Sequence, residues 1–188
     1  MNTNYQLSVD TGRLAIENGT ANPKWFRPDV DPHNIRNLMQ KSDAIAIRDT
    51  AIWLGMMIVS AGCAVALWPS VWSVPFWLVY GVLYGSAADS RWHECGHKTA
   101  FKTTWMNNAV YQLASFMIIR NPAIWQASHV RHHTDTIIVG RDPEIVAMRP
   151  PDLARIALAF VGVVDVYIAF KRMILHASGR IDSEEATY

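Results

Sequence analysis

Between Asp49 and Asp89 the chain carries no charged residue. The first half of this stretch, "DTAIWLGMMIVSAGCAVALW" (49–68), is apolar after its first two residues. At about 1.5 Å per residue, residues 50–68 as a helix would span roughly 28 Å, close to the hydrocarbon thickness of a bilayer. Gly55 and Gly62 weaken a soluble helix but are ordinary in a membrane one. After a short "PSVWS" break, with Trp68 and Trp72 where an interfacial aromatic belt would lie, "VWSVPFWLVYGVLYGSAAD" (71–89) stays uncharged until Asp89. The expectation is a transmembrane helical hairpin, 50–68 and 71–89. The fold class expected for the chain is all-α, an integral membrane protein whose later helices are cytoplasmic or interfacial.

Charge sets the orientation. Arg13, Lys24, Arg27, Arg36, Lys41 and Arg48 precede the hairpin, its turn has none, and Arg91, Lys98 and Lys102 follow at once. The positive-inside rule places both hairpin ends, and the chain beyond residue 90, on the cytoplasmic side. Residues 1–43 are expected to be a cytoplasmic segment. They contain a short helix over 32–41 that begins with Asp31 as N-cap and Pro32 at the first helical position. No basic region followed by an apolar stretch opens the chain, so no cleaved signal peptide is expected. Beyond the hairpin, 105–119 reads as an interfacial or re-entrant helix and 139–152 as a loop. Residues 153–175 read as an interfacial helix or a third crossing. A net charge of +1 gives no reason to expect a nucleic-acid partner. Cys63 lies in the apolar run and Cys95 among histidines, which argues against a disulfide framework.

Five of the seven histidines fall in two clusters. "HECGH" (93–97) places His93 and His97 four residues apart, on one side of a helix. Asp89 lies one turn earlier on the same stripe, where it could accept the outward N–H of a ligating imidazole. "HVRHH" (129–133) places His129, His132 and His133 on one helical face. Three imidazoles there are hard to explain by packing, and the bland alternative is a solvated histidine patch. Five imidazoles exceed what one tetrahedral zinc can take, which favours two metal ions, and a nitrogen-rich set near a membrane suits iron. His33 and His176 stand alone and receive no ligand role.

"DSRWHECGHKTAFKTTWMN" and "SHVRHHTDTIIVGRDPEI" resemble the first two histidine boxes of the membrane fatty acid desaturase superfamily, which includes related hydroxylases and ketolases. The resemblance spans roughly residues 44–150 and makes 44–188 a partial desaturase domain. It implies a di-iron centre at the cytoplasmic face, with His93, His97, His129, His132 and His133 as iron ligands. It also implies O₂ as co-substrate, a membrane lipid or other acyl chain as substrate, and two electrons from a carrier such as ferredoxin or a cytochrome b5-like protein. On this reading Glu94 is a structural or supporting residue. The family's third box has no match in this sequence, so the expectation is an incomplete fragment whose five imidazoles cannot by themselves complete two iron coordination spheres.

Three other readings follow from the same residues. A related di-iron hydroxylase shares both boxes. H-E-x-x-H alone fits a zinc membrane protease, with Asp165 as the distant ligand, but leaves "HVRHH" unexplained. A non-catalytic membrane metal-binding protein needs no further ligands.

Overall fold

A computed structural model describes residues 9–21, 28–136, 138, 142–144 and 153–181. All regular structure among them is helical. The chain divides into two compact units, Asp29–Pro122 and a second formed by Met1–Pro28 with Ala123–Tyr188.

The first unit begins with α2 (Pro32–Leu38), which follows α1 (Val9–Glu17) of the other unit in chain order. As the sequence predicts, Asp31 caps α2, its carboxylate accepting from His33 N at 2.9 Å, with Pro32 in the first turn. The helix ends at Leu38, short of residue 41. The long helix α3 (Asp43–Ala66) begins earlier than the expected residue 50. Ser42 caps it, Oγ accepting from Ile45 N, and Asp43 lies favourably in its first turn.

At about 1.5 Å per residue, α3 is roughly 36 Å long. Its buried residues, Ala46, Trp53, Ser60 and Ala64, form a single stripe at spacings of seven, seven and four. Around that stripe the helix remains apolar and exposed, with Ile52, Met56, Ile58, Val59 and Val65 all facing outward. A helix apolar on every side suits a hydrocarbon environment better than a water interface. Among the described residues, the one helical stretch long and apolar enough to cross a membrane lies within Pro32–Ala66.

A 3₁₀ turn (Val71–Ser73) leads into α4 (Val74–Ser86), which packs against α3. Trp53 Nε1 donates to Leu83 O at 2.9 Å and pins the two helices together. The expected continuous helix over 71–89 is divided. It opens as the 3₁₀ turn and closes as a π turn (Ala87–Arg91), before α5 (Trp92–Gly96) resumes α-helical geometry. The widened turn carries Arg91 back to the start of α3. There its guanidinium lies 5.8 Å from the Trp53 ring and Nη2 donates to Asp49 O at 3.4 Å.

The unit closes with α6 (Thr104–Met117), whose buried Asn107, Tyr111, Ala114 and Ser115 recur at helical spacing. Phe116 and Trp105 remain exposed.

In the second unit, α7 (Pro122–Asp135) carries the second histidine cluster. The helix expected over 153–175 is two helices, α8 (Leu153–Val161) and α9 (Val163–Ala177). Gly162 separates them at φ +69°, a left-handed conformation that glycine alone adopts without a Cβ penalty. The loop expected over 139–152 lies largely outside the described residues.

Candidate metal centre

The first cluster is built on α5, a helix of five residues. Trp92 and Cys95, three apart, turn inward and are 4% and 2% exposed. The same rotation leaves His93 and His97 on the other side, ring centroids 4.9 Å apart. Gly96 faces α6 so closely that a Cβ there would stand 3.2 Å from Tyr111 Cε2. The Tyr111 ring also lies against Trp92, centroids 5.7 Å apart, and its hydroxyl donates to Pro122 O at 2.7 Å. Trp92, Cys95 and Gly96 are therefore the packing side of the motif, and the histidines its outward side. Burial, together with the nearby Glu94 charge, pushes the Cys95 thiol up to about 11, so it stays neutral at ordinary pH.

The helix stops sharply after the cluster. Lys98 takes φ +59°, Lys98 N donates to Cys95 O, and Thr99 N donates to Glu94 O at 2.9 Å. This is the hydrogen-bond pattern of a Schellman cap, with lysine where glycine is usual. The Glu94 carbonyl also accepts from Thr99 Oγ1, and the residue itself is exposed. Asp89 belongs to the π turn, and its side chain lies outside the described residues, as does that of Asp165.

The second cluster lies in the last two turns of α7. His129 is 8% exposed. Its Nε2 faces His133 Nε2 at 3.1 Å, with the two rings nearly perpendicular. Two protonated nitrogens would repel at that distance, so at least one presents a lone pair. His132 stacks on His129 with ring centroids 5.7 Å apart.

On their Nδ1 sides, His129 and His132 meet two carboxylates that the sequence pattern did not single out, Glu144 and Asp142. No periodicity could have found them, because they belong to an irregular segment 10 and 15 residues from their partners. The available chemical signal was the acidic pair shortly after a histidine cluster. His33 follows Asp31 at the start of α2, and His176 lies in the last turn of α9.

Imidazoles at these spacings, with the Nε2 atoms of His129 and His133 turned toward each other, form a donor set suited to a nitrogen-binding metal. A family model described as fatty acid desaturase matches residues 66–182. The match begins near the end of α3 and includes α8 and α9. A Punica granatum protein named bifunctional fatty acid conjugase/Delta(12)-oleate desaturase is 31% identical over 126 residues, covering 64% of this chain and 31% of the relative. A Glycine max omega-6 fatty acid desaturase, endoplasmic reticulum isozyme 1, is 27% identical over 124 residues, 64% of this chain and 31% of the relative. An Arabidopsis thaliana Delta(12)-fatty-acid desaturase is 26% identical over 139 residues, 72% of this chain and 36% of the relative. The chain spans about a third of the length of these curated relatives. No solved structure matches.

Proposed function

The chain belongs to the fatty acid desaturase family, and from that premise we propose that it supplies two histidine boxes of a membrane di-iron, O₂-dependent acyl desaturase. The observation that carries this reading is the histidine donor set. His93, His97, His129, His132 and His133 are the proposed iron ligands. The residues fit such a centre chemically, because the His129 and His133 Nε2 atoms already face each other at 3.1 Å. Residues 44–188 are the proposed partial desaturase domain, and 1–43 a cytoplasmic segment.

When bound, iron supplies the O₂ chemistry that removes hydrogen from an unactivated C–H bond. A –CH₂–CH₂– unit and O₂, with two electrons and two protons from outside the substrate, give –CH=CH– and two molecules of water. A carrier such as ferredoxin or a cytochrome b5-like protein is the proposed electron donor. An acyl chain of a membrane lipid is the proposed substrate.

The protein's own residues hold and shield. Trp92 and Cys95 anchor the first box to α6, so that His93 and His97 present imidazoles from a rigid base. His129 is fixed on its Nδ1 side and leaves Nε2 as the donor. The apolar faces of α3 and α4 suit a multi-pass arrangement that brings acyl chains from the bilayer toward boxes at the cytoplasmic surface. A di-iron hydroxylase is the second reading, and the desaturase names of the relatives favour the first.

Metal content of the detergent-purified chain tests the proposal. The expected result is iron that is lost on His93→Ala and on His129→Ala. Zinc that persists after His129→Ala and disappears on His93→Ala would instead point to a zinc hydrolase built on H-E-x-x-H.

A further inference from the structure

Just beyond α7, Asp142 and Glu144 flank Pro143, and each carboxylate meets one imidazole of the second box. His129 Nδ1 donates to both Oε1 and Oε2 of Glu144 at 3.0 Å. His132 Nδ1 donates to Asp142 Oδ1 at 2.9 Å. The same Asp142 oxygen accepts from Glu144 N at 2.8 Å, so one carboxylate sets the position of the other. Asp142 is itself held by its N–H, which donates to Ile138 O at 2.9 Å. The Asp142 side chain is 1% exposed and that of Glu144 17%, which separates these contacts from surface ion pairs.

A neutral imidazole carries its proton on either nitrogen, and a carboxylate beside Nδ1 draws the proton there, leaving the Nε2 lone pair for a metal. The His129 geometry has this form, with Nδ1 engaged by Glu144 and Nε2 directed at His133 Nε2. We propose that Asp142 and Glu144 are positioning residues of the second box. They hold His132 and His129 in the Nδ1–H tautomer and aim both Nε2 atoms at metal, and Asp142 also orients Glu144. This inference rests on the proposed metal-binding function and adds two acidic residues to it.

Cobalt(II) titration of the full chain in detergent tests it, read by d–d absorption, with a metal-free thermal melt of every variant. Glu144→Ala and Asp142→Ala are each expected to weaken cobalt affinity by about 10- to 100-fold and to change the absorption bands. Glu144→Gln, which keeps shape and an acceptor but loses the charge, is expected to fall between wild type and Glu144→Ala. If an alanine variant fails its metal-free melt, the Glu144→Gln titration decides. Affinity within twofold of wild type and unchanged bands in Glu144→Gln and in each folded alanine variant, while His129→Ala loses binding, would overturn the positioning role alone. No cobalt binding by wild type, or full binding by His129→Ala, would overturn the metal-binding proposal and this inference with it.

Discussion

Asn107 shows how one side chain fixes the segment that leaves the first histidine box. It is 1% exposed. Its Nδ2 donates to Phe101 O at 2.8 Å and to Thr103 O at 3.4 Å, while its Oδ1 accepts from Phe101 N at 3.0 Å. Phe101 is buried, so its backbone donor and acceptor have no ready access to water. Asn107→Leu keeps the branching and the number of heavy atoms but leaves both backbone groups unpaired, at a cost of about 3 kcal/mol. A thermal melt of the metal-free protein checks this, and an unchanged melt would mean that the 99–103 segment finds other partners. Lys98 represents the opposite kind of residue. Its left-handed backbone costs about 1–2 kcal/mol relative to an ordinary conformation, and the cap it closes offsets that cost. Neither role follows from a periodic pattern: Asn107 reads as a polar residue in a helix, and lysine carries no left-handed signal.

At the scale of elements, the start of α3 is tied to the segment after the first box. Asp43 accepts from Thr103 N at 2.9 Å and from Thr103 Oγ1 at 2.6 Å, and Lys41 Nζ donates to Lys98 O at 2.7 Å. The two bonds from Thr103, led by the hydroxyl, hold the Asp43 carboxyl below its ordinary value of 3.8. A carboxyl depressed on folding contributes stability that is fully present above its unfolded value, and the contribution is lost as pH falls through the folded value. The tether is therefore expected to stabilise the protein at neutral pH and to fade below the ordinary carboxylate range. Melts of wild type and Asp43→Asn are expected to differ at pH 7 and converge in acid, whereas a gap that stays constant with pH would show that charge plays no part. The long helix itself was legible, because an uncharged apolar run has few alternatives. Its first turn was not, because Ser42 and Asp43 act through capping and through a contact 60 residues away. The division of 71–89 by a π turn and the break at Gly162 also escaped the pattern. Hydrophobicity continues across both points, while the backbone geometry changes.

For the molecule as a whole, the membrane reading makes a prediction about the two free thiols. Cys63 lies in the apolar helix α3 and is only half-buried by protein, while Cys95 is 2% exposed. In sealed vesicles a membrane-impermeant maleimide is expected to label neither. On this reading lipid, or a detergent micelle in its place, covers Cys63 while the fold covers Cys95, so both thiols are expected to stay protected in mild detergent and to open to the reagent on unfolding in denaturant. Labelling of Cys63 in intact vesicles would count against a bilayer position for α3. The local sequence determined the helical character of the chain, its apolar stripes and the clustering of histidines, since these depend on residue type and on the short repeat of a helix. Only tertiary structure decided which nitrogen of His129 faces His133, why Gly96 must be small, and which carboxylates meet the second box. Those outcomes depend on partners such as Tyr111, Asp142 and Glu144, reached across turns and irregular backbone, where no helical period relates one residue to the next.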